Sequence, residues 1–404
     1  MYTTEEVHNK ETQGQLSGYS NGWPRAFWVI SFGAVCVFAS GIHYRYGISP
    51  SLWYFATFAT VTAMVNSFTG PARRRSVDVT SLSFLVGWGL LGTVAGRIFY
   101  GQEGNALPFF LAMVLVVLWW ASGRVLPVNG VVALIRILSA VYSVFAILVV
   151  QFSVPLSSEG HFHHQTSFFL VAGAVLATVT LRWLELALVM AAIIVTYLNY
   201  PALSYLLGFA VAAICICAFY VNRAQMILVL AAAVAICSSI AMNIDLVLGS
   251  ISHYFTSVGK TDNSETREAL LEIGLRKFFD RPWFGSWFIE DIAIYAPGGI
   301  TGKFKYVPVH NDYLQLAIGG GIVFAAAFVA IMVIFLIRGV VTLSSRSAPT
   351  EDRVILVTGM SAIASILVMC SVNPILIDIR TALFFSLSVV LSLNSMARIE
   401  RACS

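Results

Sequence analysis

The run Val307-Pro308-Val309-His310-Asn311-Asp312-Tyr313-Leu314-Gln315-Leu316-Ala317-Ile318-Gly319-Gly320-Gly321 takes the chain from its longest polar segment directly into an apolar helix. Upstream, residues 250–310 carry Lys260, Arg267, Arg276, Lys277, Arg281, Lys303 and Lys305, interleaved with Asp262, Glu265, Glu268, Glu272, Asp280, Glu290 and Asp291. Downstream, and for most of what precedes the polar segment, the sequence is a succession of apolar runs. The chain has 404 residues, of which 58% are hydrophobic and 11% charged. Soluble domains carry about 25% charged residues. So low a charge density means that lipid is the solvent for most of the surface, and the expected fold is an all-α polytopic membrane protein. The net charge of +4 is too small to point to a nucleic-acid partner.

A spanning helix needs roughly 20 apolar residues. By that measure about twelve transmembrane helices are expected, over 27–43, 52–68, 82–100, 107–122, 131–150, 168–180, 184–198, 203–221, 226–248, 313–337, 355–372 and 382–396. The chain then divides into an N-terminal tail (1–26), nine spans (27–249), the long loop (250–310), three spans (311–398) and a short C-terminus (399–404). The tail has no apolar core of the signal-peptide kind. Basic residues in short turns set the orientation. Arg73, Arg74, Arg75, Arg124, Arg182, Arg223, Arg338, Arg346, Arg353, Arg398 and Arg401 fall on one side, and Arg45, Arg97 and Arg380 on the other. Both termini are therefore expected in the cytosol of a bacterium, with the long loop periplasmic. No internal repeat of the kind built into many transporters is visible.

Within the loop, Asp262, Asn263 and Ser264 offer helix N-caps, and 264–279 reads as an amphipathic helix along the membrane surface. Asp280-Arg281-Pro282-Trp283-Phe284-Gly285 breaks it. Trp283, Phe284, Trp287 and Phe288 suit a belt of interfacial anchors or, less economically, a sugar-stacking platform. Pro297-Gly298-Gly299-Ile300-Thr301-Gly302 is a flexible turn, either a connector or a flap over a substrate. His310 is either a solvated interfacial side chain or a general base, with Asn311, Asp312 and Gln315 as polar neighbours. Gly319-Gly320-Gly321 permits close approach of another backbone or of an isoprenoid chain. Arg267 either pairs with Glu268 or Glu272 or grips a diphosphate with its planar fork.

Taken together, Arg267 opening a helix, Arg281-Pro282-Trp283-Phe284-Gly285, and His310-Asn311-Asp312-Tyr313-Leu314-Gln315 with glycines beyond resemble the O-antigen ligase and polysaccharide polymerase family (WaaL/Wzy-type membrane glycosyltransferases). The resemblance implies a GT-C-like membrane fold with one long periplasmic loop in the bacterial inner membrane, and no cofactor. It implies an undecaprenyl-diphosphate-linked glycan donor and an acceptor hydroxyl on lipid A-core or on another glycan. His310 then corresponds to the family's general base and Arg267 to its diphosphate-holding arginine. Asn311 supports His310, and Asp378 corresponds loosely to an acidic residue of the last outer turn. Two positions depart from the family pattern: Phe324 stands where a second glycine is usual, and no arginine lies near Asn199-Tyr200-Pro201. Arg380, Arg276, Arg281 and Arg97 are the candidates for a second diphosphate-binding cation.

No Asp-x-Asp site of the metal-dependent glycosyltransferase kind occurs in the loop. The alternative metal cluster is His161-Phe162-His163-His164, whose adjacent histidines are poorly spaced for one ion. The six cysteines suggest neither a disulfide framework nor a metal site. The rival functions are a polymerase using the same donor, a transferase to a protein hydroxyl, and a lipid-glycan flippase or transporter. The last would place ionisable residues at mid-helix, and these runs hold almost none apart from Arg136.

Overall fold

The computed structural model describes residues 40–42, 77–101, 106–122, 128–157, 162, 168–200, 203–220, 264–290, 292–297, 304–344, 350–376 and 378–403. The described chain is mostly helical. Its helices are α1 (Val77–Tyr100), α2 (Leu107–Ser122), α3 (Val128–Ala146), α4 (Phe168–Val179), α5 (Trp183–Asn199), α6 (Leu203–Tyr220), α7 (Ser264–Asp280), α8 (Asp312–Leu343), α9 (Thr350–Met369) and α10 (Ile379–Cys403). Five segments are long and apolar enough to cross a membrane: one each in α1, α8, α9 and α10, and Val132–Gln151, which runs from α3 through the π-helical turn Ile147–Gln151; α4 and α5 are shorter apolar helices. The expected spans at 52–68 and 226–248, and nearly all of 27–43, lie outside the described residues. So do His161, His163 and His164.

The long loop adds a feature to the amphipathic helix: β1 (Ile294–Pro297) and β2 (Phe304–Val307) pair antiparallel, with Ile294 opposite Val307 and Pro297 opposite Phe304. Both strands are rich in β-branched and aromatic residues and flank a Pro-Gly-Gly sequence, the ordinary signature of a hairpin.

The core is formed by α9 and α10, which pack on each other; α9 also lies against α4 and α6, and α10 against α2. The apolar window of α9 is 83% buried and that of α10 78%, against 33% for α8. The helix that follows His310 is therefore peripheral to the bundle. At the end remote from His310, Arg338 of α8 grips Glu400 of α10 through both carboxylate oxygens (2.8 and 2.9 Å). Arg353 of α9 donates to the carbonyl of Phe219 on α6 at 2.8 Å.

A long apolar helix normally satisfies its own backbone, but α8 does not. Gly321 has φ +71° and ψ −178°, which breaks the helix. At roughly 1.5 Å per residue the break lies about 14 Å from Asp312. The segment after α7 repairs it. Ser286 and Phe288 donate their N–H groups to the carbonyls of Ile318 (3.2 Å) and Gly319 (2.9 Å), and Ile322 donates to Pro282 (2.8 Å). Val323 completes the set with a longer bond to the Trp283 carbonyl (3.3 Å). Glycine is required where the two backbones meet: a Cβ on Gly321 would overlap the Trp283 carbonyl, and one on Gly285 (φ +58°) would press on the carbonyls of Ile318 and Gly319. On its other side the segment fits α1, where Gly92 and Gly96 receive the carbonyls of Trp287 and Ile289.

The segment is thus a wedge between α1 and α8, and its aromatic rings divide accordingly. Phe288 is buried, with its ring 4.9 Å from Phe110 and 4.8 Å from Phe324. Trp283, Phe284 and Trp287 are exposed, and Trp287 stacks on Phe284 (5.6 Å, 19°) and contacts Trp88 of α1 at 5.1 Å. The four rings do not act as one belt: Phe288 is core, and Phe324 is the ring it packs on.

Replacing Gly321 by alanine should lower the thermal midpoint in detergent clearly, because the backbone conformation alone costs on the order of 1–3 kcal/mol for a non-glycine residue. Gly87→Ala is the control. It lies in α1 with nothing within 4 Å of its added methyl, and should be neutral or stabilising by about 0.5–1 kcal/mol. Equal midpoints for the two variants would refute this account of the break.

Candidate functional site

His310 lies between β2 and the first turn of α8. Asn311 is the N-cap of α8, its side chain accepting from the Leu314 N–H at 3.0 Å and donating to the Ser371 carbonyl at 3.2 Å. The next residue does more. Asp312 is buried, at 1% exposure, and its Oδ2 accepts from the N–H groups of Ile375 (2.7 Å) and Leu376 (2.8 Å). Its own N–H donates to the Cys370 carbonyl at 2.8 Å. With its amide oriented to satisfy both neighbours, Gln315 donates to Asp312 Oδ1 at 3.1 Å and accepts from the Val309 N–H at 3.2 Å. Tyr313 donates its hydroxyl to the Leu367 carbonyl at 2.6 Å. The residues around His310 thereby hold the 370–378 turn against the head of α8. Sequence reasoning counted Asp312 and Gln315 only as polar neighbours. The missed signal was an acidic residue at the first helical position behind an asparagine cap, in a stretch too apolar to leave it solvated.

Arg267 arrives on α7. That helix packs on the start of α8 through Gly274, where an added Cβ would meet Val309 at 2.9 Å and Leu314 at 3.1 Å. Leu270, Ile294, Val309 and Ile318 form a small core between α7, the hairpin and α8. Arg267 sits one turn before Leu270, within electrostatic reach of His310. It takes no carboxylate among the described residues, since Glu272 is held instead by Arg276 at 2.5 Å. Although the residue is exposed, surrounding protein partly desolvates the guanidinium and lowers its pKa; arginine remains charged regardless.

The other predicted arginines differ. Arg276, paired with Glu272, and Arg281, paired with Glu290 at 2.6 Å, lie on exposed surface. Arg380 is buried in the first turn of α10 and forms an ion pair with Asp378, whose Oδ1 also accepts the Arg380 N–H at 2.9 Å. The structure thus places Arg267 within electrostatic reach of His310, whose chain neighbour Asn311 caps α8. It carries the Asp378–Arg380 pair on the turn that Asp312 ties to the same helix head, and leaves Arg276 and Arg281 in ion pairs of their own.

The electrostatics of His310 follow from this arrangement. Burial lowers its pKa below the ordinary histidine value, the charge of Arg267 lowers it further, and the Pro308 carbonyl opposes both. Nδ1 is buried without a well-formed hydrogen bond. A neutral imidazole is a proton acceptor, and an arginine that takes no counter-ion among the described residues is an anion site; here each lies within electrostatic reach of the other. No family model matches the chain, and a search of curated proteins returns no match.

Because desolvation and Arg267 both disfavour the imidazolium, carbethoxylation of His310, followed by mass spectrometry against pH, should show a midpoint below about 6.5. Arg267→Gln should move that midpoint upward while burial holds it below the ordinary value. An unmoved midpoint would show that the two side chains do not interact.

Proposed function

We propose that the chain is a membrane glycosyltransferase, metal-independent and inverting, which moves a glycan from a polyprenyl diphosphate to an acceptor hydroxyl at the outer face of a bacterial inner membrane. The observation that carries the reading is the electrostatic coupling of an underbonded His310, its pKa lowered, to Arg267, which takes no counter-ion among the described residues, at the head of an apolar helix. The resemblance of the motifs around both residues supplies the substrate class: undecaprenyl diphosphate as carrier and, on the ligase reading, lipid A-core as acceptor.

In this mechanism the acceptor oxygen attacks the anomeric carbon as the bond from that carbon to the diphosphate oxygen breaks. His310 takes the hydroxyl proton as the new bond forms. The negative charge released on the diphosphate is held by Arg267, with Arg380 as the second cation once its partner Asp378 yields it. The leaving group is already stable, so the protein supplies mainly orientation and charge stabilisation. Asn311 keeps the segment in register through its bonds to Leu314 and Ser371.

The test is glycan transfer in a strain lacking its own enzyme, comparing wild type with His310→Ala at matched membrane abundance. Transfer should fall by about 10²–10⁴-fold, the usual share of a general base, with lipid-linked donor accumulating. Undiminished transfer would remove His310 from the chemistry. The product ladder separates the acceptors: a full-length glycan moved once marks a ligase, and progressive lengthening of a lipid-linked glycan marks a polymerase. A flippase would leave the donor chemically unchanged with either chain.

A further inference from the structure

We infer that the turn joining α4 to α5 is a seat for an anionic phospholipid headgroup, at the end of the bundle opposite His310. The position follows from packing. Phe168, which opens α4, stacks on Phe384 in α10 (4.9 Å, 30°), near the 370–378 turn and hence at the His310 end. From there α4 runs away from that end, so the turn at 180–183 emerges at the other.

The turn has an unusual form. Leu181 adopts φ +56°, a left-handed conformation uncommon for any residue but glycine. The helix closes beneath it by bonds from Leu181 N–H to the Thr178 carbonyl (3.2 Å) and from Arg182 N–H to the Ala177 carbonyl (2.9 Å). What emerges is a cation set among apolar side chains: Leu181 is 63% exposed, Trp183 67% and Leu184 89%.

The charge around that cation is unbalanced. Arg136 reaches across from α3 and takes both oxygens of Glu185, its Nε lying 2.9 Å from Oε2. Arg182 obtains only a marginal share of the same carboxylate, Nη1 to Oε1 at 3.4 Å, and its side chain remains 50% exposed. Among the described residues two guanidinium groups therefore divide one negative charge, and Arg182 keeps most of its five donors unspent there. Such a fork suits a phosphate bidentately. The exposed leucines and the tryptophan suit the glycerol and upper acyl chains, where aromatic and apolar side chains settle at an interface. An inorganic phosphate ion would satisfy the charge but cover none of this apolar surface. The uncompensated positive charge favours a lipid of net negative charge over a zwitterionic one.

Native mass spectrometry of the full chain, released from bilayers of equal phosphatidylglycerol and phosphatidylcholine, tests the assignment. Wild type should retain phosphatidylglycerol over phosphatidylcholine several-fold. Arg182→Gln should bring that ratio close to one, and Arg182→Lys, which keeps the charge but not the fork, should fall between and guards against loss of folding. Arg276→Gln, an arginine of the long loop, should leave the ratio at the wild-type value. The assignment fails if Arg182→Gln retains the wild-type preference, or if Arg276→Gln lowers it equally.

Discussion

Hydrocarbon cannot satisfy a peptide group, so a helix that breaks where lipid surrounds it must find its missing hydrogen bonds in the protein. The break in α8 at Gly321 meets that constraint by taking in residues 282–288 as a second strand of backbone. Much else follows. The wedge needs a recess on its far side, and α1 supplies one with Gly92 and Gly96. It needs a side chain to hold it, and Phe288 fills the space between Phe110 and Phe324. Because lipid offers no hydrophobic drive to bring helices together, this close fit is itself the source of cohesion. The wedge also fixes the end of α7, which lies against α8 and carries Arg267 toward His310.

The second organising feature is polar. Asp312 buries a carboxylate, and it is tolerated because backbone N–H groups from another turn and the Gln315 amide converge on it. A buried acid so surrounded fixes position with a directional tolerance that apolar packing lacks. Cohesion by close fit and registration by a satisfied carboxylate divide the head of α8 between them: the first sets its depth beside the wedge, the second its contact with the 370–378 turn.

The membrane class, the helices within 82–220 and from 312 onward, the helix at 264–279 and the polar neighbourhood of His310 were legible in the sequence, because each rests on composition or on a local pattern. The glycine run was read correctly as a place of close approach, and the approaching backbone is Trp283. The hairpin escaped notice because four-residue strands give too short an alternation to outweigh a glycine-rich turn. The role of Asp312 escaped because its partners stand 63 and 64 positions away and are main-chain groups, which no side-chain pattern reveals. The same limit applied to the arginines. Only geometry shows that Glu272 serves Arg276 rather than Arg267, leaving Arg267 without a counter-ion among the described residues.

The span of the Asp312 clasp has a consequence for assembly. A chain is synthesised from its N-terminus, so Asp312 exists before the N–H groups that will hold it. In the interval α8 has been made but α9 has not returned, and the carboxylate has only Gln315 and solvent for company. The head of α8 acquires its final form when the last helical hairpin, α9 and α10, closes over it. Completion of the site is thereby coupled to completion of the polypeptide, and a chain cut short before residue 375 carries an orphaned acid where the finished protein has a lock.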